Sequence, residues 1–204
     1  MEERLRMKRE HAVVIGAGFA GLQAAGVLTK HFESVTIIEK RTIRGKKNLG
    51  LLLSVQDLSR LQIRENCTVA GLIPSIDKRR ILGVMALCEK SDIMKLRHAD
   101  FVIDASGKSS YAPKWLQELG YGQTIENLKQ WPDRFLVLGD ALRTLQANAN
   151  AGREICEAQA FALDATLRSS QDLSGLSIQI QKQFVEVMSK PWATGLSGFV
   201  EQNP

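Results

Sequence analysis

Short apolar runs, each closed by a glycine or an acidic residue, punctuate this chain. Ala12-Val13-Val14-Ile15 is rich in β-branched residues and shows no alternation, the pattern of a strand covered on both faces. Gly16-Ala17-Gly18-Phe19-Ala20-Gly21 follows, and Leu22 to Phe32 then reads as a helix with Leu22, Ala25 and Leu28 or Thr29 near one face. Val35 to Ile38 is a second buried strand ending on Glu39, which completes a βαβ unit. Residues 41–62 carry no clear period. Cys67–Ile73 and Ile81–Leu87 read as strands, turning at Asp77-Lys78. Lys95–Ile103 contains a third, apolar at Phe101-Val102-Ile103. Together they predict an antiparallel meander over about 67–103 that returns to the main sheet. Phe135 to Leu138 is one more buried strand, ending at Gly139-Asp140. Two helices follow in a C-terminal segment over about 153–204. Arg153–Leu167 carries a stripe of Ile155, Ala158, Ala162 and Ala165. Ser177–Met188 carries Ile180, Phe184 and Val187 or Met188.

No repeat or linker interrupts the 204 residues, so 1–204 reads as a single domain. Hydrophobic residues make up 44% and charged residues 24%, which places the chain among folded proteins rather than disordered ones. The net charge is +5, with basic groups at Arg4, Arg6, Lys8 and Arg9 and at Lys40, Arg41, Arg44, Lys46 and Lys47. Aromatics are only 6% and are not interleaved with these groups, so nucleic acid is not an expected partner. Solvated surface and phosphate-facing charge beside a nucleotide site both remain open for them.

Cys67, Cys88 and Cys156 have neither CxxC nor metal-ligand spacing, and are expected as reduced, mostly buried thiols in a cytoplasmic protein. His11, His31 and His98 lack acidic or cysteine companions, so no metal site is expected. The charged N-terminus does not resemble a signal peptide. The longest apolar stretch, Ala12–Leu28, holds four glycines and Gln23, and reads as strand-turn-helix rather than a membrane span.

The Gly16-x-Gly18-x-x-Gly21 spacing carries chemistry because it follows a predicted strand and opens a helix. Gly16 permits the tight turn, Gly18 a close approach of backbone to a pyrophosphate, and Gly21 packing of helix on strand. The helix N-terminus offers unpaired N–H groups to phosphate. Glu39, at the end of the second strand, is placed to accept hydrogen bonds from a ribose. A glycine turn that serves only packing stays open, and these residues alone do not separate NAD from FAD.

Two later stretches separate them. His98 to Ser110, with Asp104-x-x-Gly107-x-x-Ser110, resembles the D-x-x-G-x-x-S signature of flavin-dependent hydroxylases, and Phe135 to Ala141, with Gly139-Asp140, resembles their third signature. In this order the three motifs resemble the FAD-dependent monooxygenase superfamily of aromatic hydroxylases, squalene epoxidase and geranylgeranyl reductases. Tyr111–Tyr121, Trp131–Phe135 and Pro191–Gly195 also look family-like.

The resemblance implies a Rossmann-type, three-layer α/β FAD-binding fold with a small antiparallel β-meander and C-terminal helices. It implies FAD as cofactor, with NAD(P)H as electron donor. Gly16, Gly18 and Gly21, with Ala17, Phe19 and Ala20 between them, would hold the FAD pyrophosphate. Glu39, beside Lys40, would bind the adenosine ribose, and Val69 would offer backbone to adenine. Asp104 and Gly107 would sit near the pyrophosphate. Asp140 would accept a hydrogen bond from the ribityl chain, which the Gly139 turn would admit. Gly152 stands at the second glycine of the loop before the flavin-facing helix.

The chain also departs from the family. Relatives carry a second sheet over the flavin, inserted where this chain has only 28 positions from Glu39 to Cys67 and 9 from Gly122 to Trp131. Most of a substrate domain is therefore expected to be missing. Ala147 stands at the family's proline and Asn150 at its first glycine, and the basic segment Arg41–Lys47 lacks the family's downstream histidine. No residue presents itself as catalytic acid, base or nucleophile. The expected function is a monooxygenase-like, FAD-binding oxidoreductase acting on a small molecule. The alternatives are a non-catalytic FAD- or nucleotide-binding remnant, and a subunit whose protein partner covers the exposed flavin face.

Overall fold

The computed structural model describes residues 9–43, 58–89, 91–122, 131–146 and 152–189, with 91–97 in backbone alone. Its centre is a five-stranded parallel sheet in the order β3-β2-β1-β7-β8. The strands are β1 (His11–Ile15), β2 (Ser34–Glu39), β3 (Leu61–Glu65), β7 (Phe101–Asp104) and β8 (Phe135–Val137). Val13 lies opposite Thr36 on one side and Val102 on the other. The apolar runs do not alternate because both faces of the sheet are covered. Val13, Val14, Val35, Ile37, Phe101, Val102, Phe135 and Leu136 are all fully buried.

One layer is helical. Helix α1 (Phe19–Leu28) packs on β1, β2 and β7. Helix α2 (Ala112–Leu119) lies beside the small sheet described next. Helix α3 (Arg153–Ser169) packs on α1, and α4 (Leu176–Ser189) packs on α3 and β8. The third layer is an antiparallel sheet of β4 (Cys67–Pro74), β5 (Ile81–Cys88) and β6 (Ser91–Arg97). It meets the parallel sheet through β5 on β7 and β4 on β2. The three-layer α/β architecture agrees with the expectation.

Several expectations change in detail. Lys95–Ile103 is not one strand. His98 takes φ +65°, and the chain passes there from β6 in the small sheet to β7 in the large one. Asp100 fixes the crossing by accepting the Glu10 N–H at 2.8 Å and pairing with Arg134 at 3.2 Å. Within 41–62, Leu61 opens an edge strand, β3, that pairs parallel with β2. The first helix ends at Leu28, and the chain turns through Thr29 to Phe32.

Helix α3 buries Ile155, Gln159, Ala160, Leu163, Thr166 and Leu167, so its inward face is rotated from the predicted alanine stripe, and Ala165 is exposed. The reason is polar. The Gln159 Oε1 accepts the Gly139 N–H at 2.8 Å, which draws an amide inward. Helix α4 buries Ile180, Phe184 and Met188 as expected, and adds Gln181. That amide accepts the Val137 N–H at 2.8 Å and donates to the Val137 C=O at 3.0 Å. The indole N–H of Trp131 donates to the Phe135 C=O at 2.6 Å.

The thiol expectation is corrected for two of the three cysteines. Cys67 and Cys88 are register partners on β4 and β5 and form a disulfide, with Cα atoms 4.1 Å apart. A hairpin register, not a sequence motif, brings them together. Cys156 is the free thiol.

Candidate functional site: a groove at the switch point of the parallel sheet

The chain leaves β1 toward β2 on one side and later returns as β7 on the other, so β1 and β7 flank the topological switch point. Ligands of open α/β sheets bind outside the carboxyl ends of the strands at such a point. Here the carboxyl ends are tied by hydrogen bonds from Gly16 N–H to Ile38 C=O (2.8 Å), Ala105 N–H to Ile15 C=O (2.9 Å) and Leu138 N–H to Asp104 C=O (3.0 Å).

Two cavities open there. The first, about 330 Å³, lies between the ends of β1 and β2, the start of β4, and the loop after β7. Gly16, Glu39, Lys40, Val69, Ser109 and Tyr111 are among its walls. The second, about 450 Å³, lies beside the start of α1, with Phe19, Lys108, Asp140, Arg143, Arg153 and Cys156 around it. Both cavities share Gly18, Ala105 and Gly107, so the two meet across the glycine loop.

The glycines divide into two kinds. A Cβ on Gly21 would lie 2.0 Å from the Gly16 carbonyl oxygen, and one on Gly16 would lie 2.7 Å from the Ala105 carbonyl oxygen. A Cβ on Gly139, at φ +60°, would lie 2.7 Å from the Ala20 Cβ. These three serve close packing of protein on protein. At Gly18, Gly107 and Gly152, by contrast, a Cβ would meet no protein atom within 4 Å. Each of these three lines a cavity, so the space left by their missing side chains belongs to the groove.

The first cavity is already ordered. Glu39 Oε2 accepts the Ala17 N–H at 2.7 Å, and its Oε1 accepts the Arg41 N–H at 3.0 Å. Lys40 Nζ donates to Ser109 Oγ at 3.0 Å across the rim. Asp104 is fully buried and lines neither cavity. It accepts the Ser106 N–H at 2.9 Å and the Ser110 hydroxyl, so it closes the loop that forms the shared wall. Burial pushes its pKa up, against the hydrogen bonds from Ser106 and Ser110. In the second cavity, burial, then the Asp140 and Glu157 charges, push the Cys156 thiol up to about 11. It therefore keeps its proton at neutral pH and is no nucleophile there. The Arg153 guanidinium rests 4.9 Å from the Phe19 ring centroid.

Of the residues singled out in sequence, Gly16, Gly18, Glu39, Lys40, Val69 and Gly107 line the first cavity. Gly18, Phe19, Ala20, Gly107, Asp140 and Gly152 line the second. Ala17 touches the site through its N–H on Glu39. Gly21, Asp104 and Gly139 line neither cavity. Residue-by-residue reading passed over the site contributions of Thr68, Tyr111, Trp115, Arg143 and Arg153. Tyr111 and Trp115 lie in the family-like stretch, where an aromatic pair at i and i+4 opening a helix was the available signal. Ala147, Asn150, Arg44 to Lys47 and Pro191–Gly195 lie outside the described residues. Among the described residues, no cluster of His, Cys, Asp and Glu could hold a metal, and no helix is long and apolar enough to cross a membrane.

A family model described as pyridine nucleotide-disulphide oxidoreductase matches residues 11–48, the β1-α1-β2 unit and the segment just after it. No curated protein matches this sequence. Among solved structures, THI4 of Thermovibrio ammonificans is similar over 87% of this chain and 88% of that one, at 13% identity and TM-score 0.54, and shares the fold. A myxobacterial FAD-dependent chondrochloren halogenase is 15% identical at TM-score 0.40, covering 50% of this chain and 38% of its own. A thioredoxin reductase of Streptococcus pyogenes is 13% identical at TM-score 0.40, covering 89% of this chain and 54% of its own. The chain thus spans about half or less of the length of these last two.

Proposed function

We propose that the protein is an FAD-binding oxidoreductase, with a nicotinamide dinucleotide as electron donor and monooxygenase-like chemistry on a small molecule. One observation carries this reading. Two cavities meet across Gly18 and Gly107 at the switch point of a Rossmann-type sheet, and both glycines leave open the space a side chain would fill. A dinucleotide has this form, two bulky ends joined by a narrow pyrophosphate. The residues fit FAD. Gly18, Gly107 and the N–H groups opening α1 would hold the pyrophosphate. Glu39 keeps acceptor capacity for ribose hydroxyls beyond its two backbone bonds. Val69 would border the adenine. Asp140, in the second cavity, would accept a ribityl hydroxyl.

FAD, when bound, supplies the electron transfer, as cofactors of this kind do. The chain's own residues would bind and orient it. Asp104 works at one remove by holding the 106–110 loop. The Cys67–Cys88 disulfide borders the first cavity, the adenosine side on this reading. The cytoplasmic placement belongs to this proposal as well. It rests on the enzyme class rather than on reduced thiols, since two of the three cysteines are bonded.

The test is the visible spectrum after incubation with FAD and desalting. A retained flavin spectrum is the expected result, followed by NADPH oxidation. A folded, colourless protein that fails to quench FAD fluorescence would overturn the reading. A second reading, a subunit whose partner covers the flavin side, is favoured by the second cavity. There Lys108, Arg143 and Arg153 are exposed. A stable complex with another chain that raises flavin turnover would select it.

A further inference from the structure

Five large apolar side chains stand exposed among the described residues: Leu58, Ile76, Leu87, Tyr111 and Phe161. Of these, Tyr111 alone lines a cavity of the groove, and it lines the first. Tyr111 is 57% exposed, whereas Trp115, one helical turn later in α2, is 4% exposed. The two rings are stacked, with centroids 6.2 Å apart and planes 28° apart. Trp115, a wall of the same cavity, is therefore packed against Tyr111 and leaves more than half of that residue open. Ile38, Cys67 and Val69 supply apolar wall to the same cavity.

We propose that Tyr111 is the stacking platform for the purine base of the bound dinucleotide, with Trp115 packed against it as rigid support. The inference rests on the reading of the groove as a dinucleotide site, and adds the residue that recognises its base. Three physical points carry it. A base is a flat π-system, and an exposed aromatic ring on a cavity wall is the surface that receives one. A tyrosine has two side-chain torsions, so fixing it on binding costs little entropy. Its backbone is already fixed. The Ala112 N–H donates to the Ser110 Oγ at 3.0 Å, and the Ser110 hydroxyl donates to buried Asp104. Asp104 is thus a positioning residue for Tyr111, which explains a buried carboxylate beside the groove that touches neither cavity.

The experiment titrates ADP into wild type, Tyr111→Phe and Tyr111→Ala, following heat and the adenine absorbance band, with thermal unfolding alongside. Alanine should weaken ADP about tenfold, within the range for loss of one base–aromatic stack. It should also abolish the hypochromism that stacking gives the adenine band. Phenylalanine keeps the ring and should preserve both. Thermal midpoints should stay together, since the side chain is mostly exposed. Equal ADP affinity in Tyr111→Ala and wild type overturns the inference and leaves the dinucleotide reading standing. So does a Tyr111→Phe as weak as alanine, or a loss of binding that merely tracks lost stability. A folded wild type that binds neither ADP nor FAD overturns both.

Discussion

The two cavities share a wall yet are built differently. The first has an apolar and aromatic wall in Ile15, Ile38, Val69, Tyr111 and Trp115, and its Glu39 and Lys40 are engaged before any ligand arrives. Glu39 holds Ala17 and Arg41, and Lys40 reaches Ser109. The second is ringed by glycine and by charged side chains. Lys108, Arg143 and Arg153 form no ion pair among the described residues, while Asp140 adds a carboxylate. Ordering groups in advance lowers the entropic cost of binding. The contrast teaches that the first cavity is preorganised to supply affinity, whereas the second is held in shape by backbone packing and depends on what enters or covers it.

The most severe break of this contrast is Gly21→Val. Its new side chain collides with the Gly16 carbonyl in the loop from which both cavities are built. A loss of about 3 kcal/mol in urea unfolding is expected, with nucleotide binding abolished. Next comes reduction of Cys67–Cys88, which frees the β4–β5 hairpin on the first cavity's side only. A dithiol should lower stability by about 3 kcal/mol, read as the shift of the urea curve, and should weaken ADP. Asp140→Ala sharpens the contrast from the other side. It should weaken FAD about tenfold, the scale of one hydrogen bond to a charged acceptor, and leave ADP affinity unchanged in parallel titrations.

The smallest effect is a pH slope. Burial raises the Asp104 pKa above 3.8, so the unfolded chain releases this proton first as pH climbs. Its contribution to stability is fully present below 3.8 and is lost as pH rises through the raised value. Asp104→Asn should flatten that limb of a stability–pH curve.

The β1-α1-β2 unit was legible because its signal is local. A run without alternation, a glycine loop and a second such run need no knowledge of distant residues. Strand β3 was not, because Leu61, Ile63 and Glu65 form an edge strand that is only half-buried and follows a segment without period. The inward face of α3 was misread because alanines suggested a stripe, whereas the buried Gln159 answers a backbone donor twenty residues away. The disulfide was illegible for the same reason, since only the β4–β5 register aligns Cys67 with Cys88. Glu39, Val69 and Asp140 all stand on cavity walls; the first was picked by its place at the end of the second strand after the glycine loop, the other two by resemblance. The packing role of Gly139 required knowing that Ala20 lies against it.

The last strand of the parallel sheet carries one more consequence. On the side of β8 away from β7, Phe135, Val137 and Gly139 offer backbone groups outward. Trp131, Gln181 and Gln159 bind them in turn, each through a side chain. Gln181 takes both the N–H and the C=O of Val137, as a residue of a neighbouring strand would. A sheet edge with unpaired groups is a template on which foreign strands assemble. Here the Phe135 C=O, both groups of Val137 and the Gly139 N–H are already taken by amides and an indole, so strand addition finds much of that template occupied.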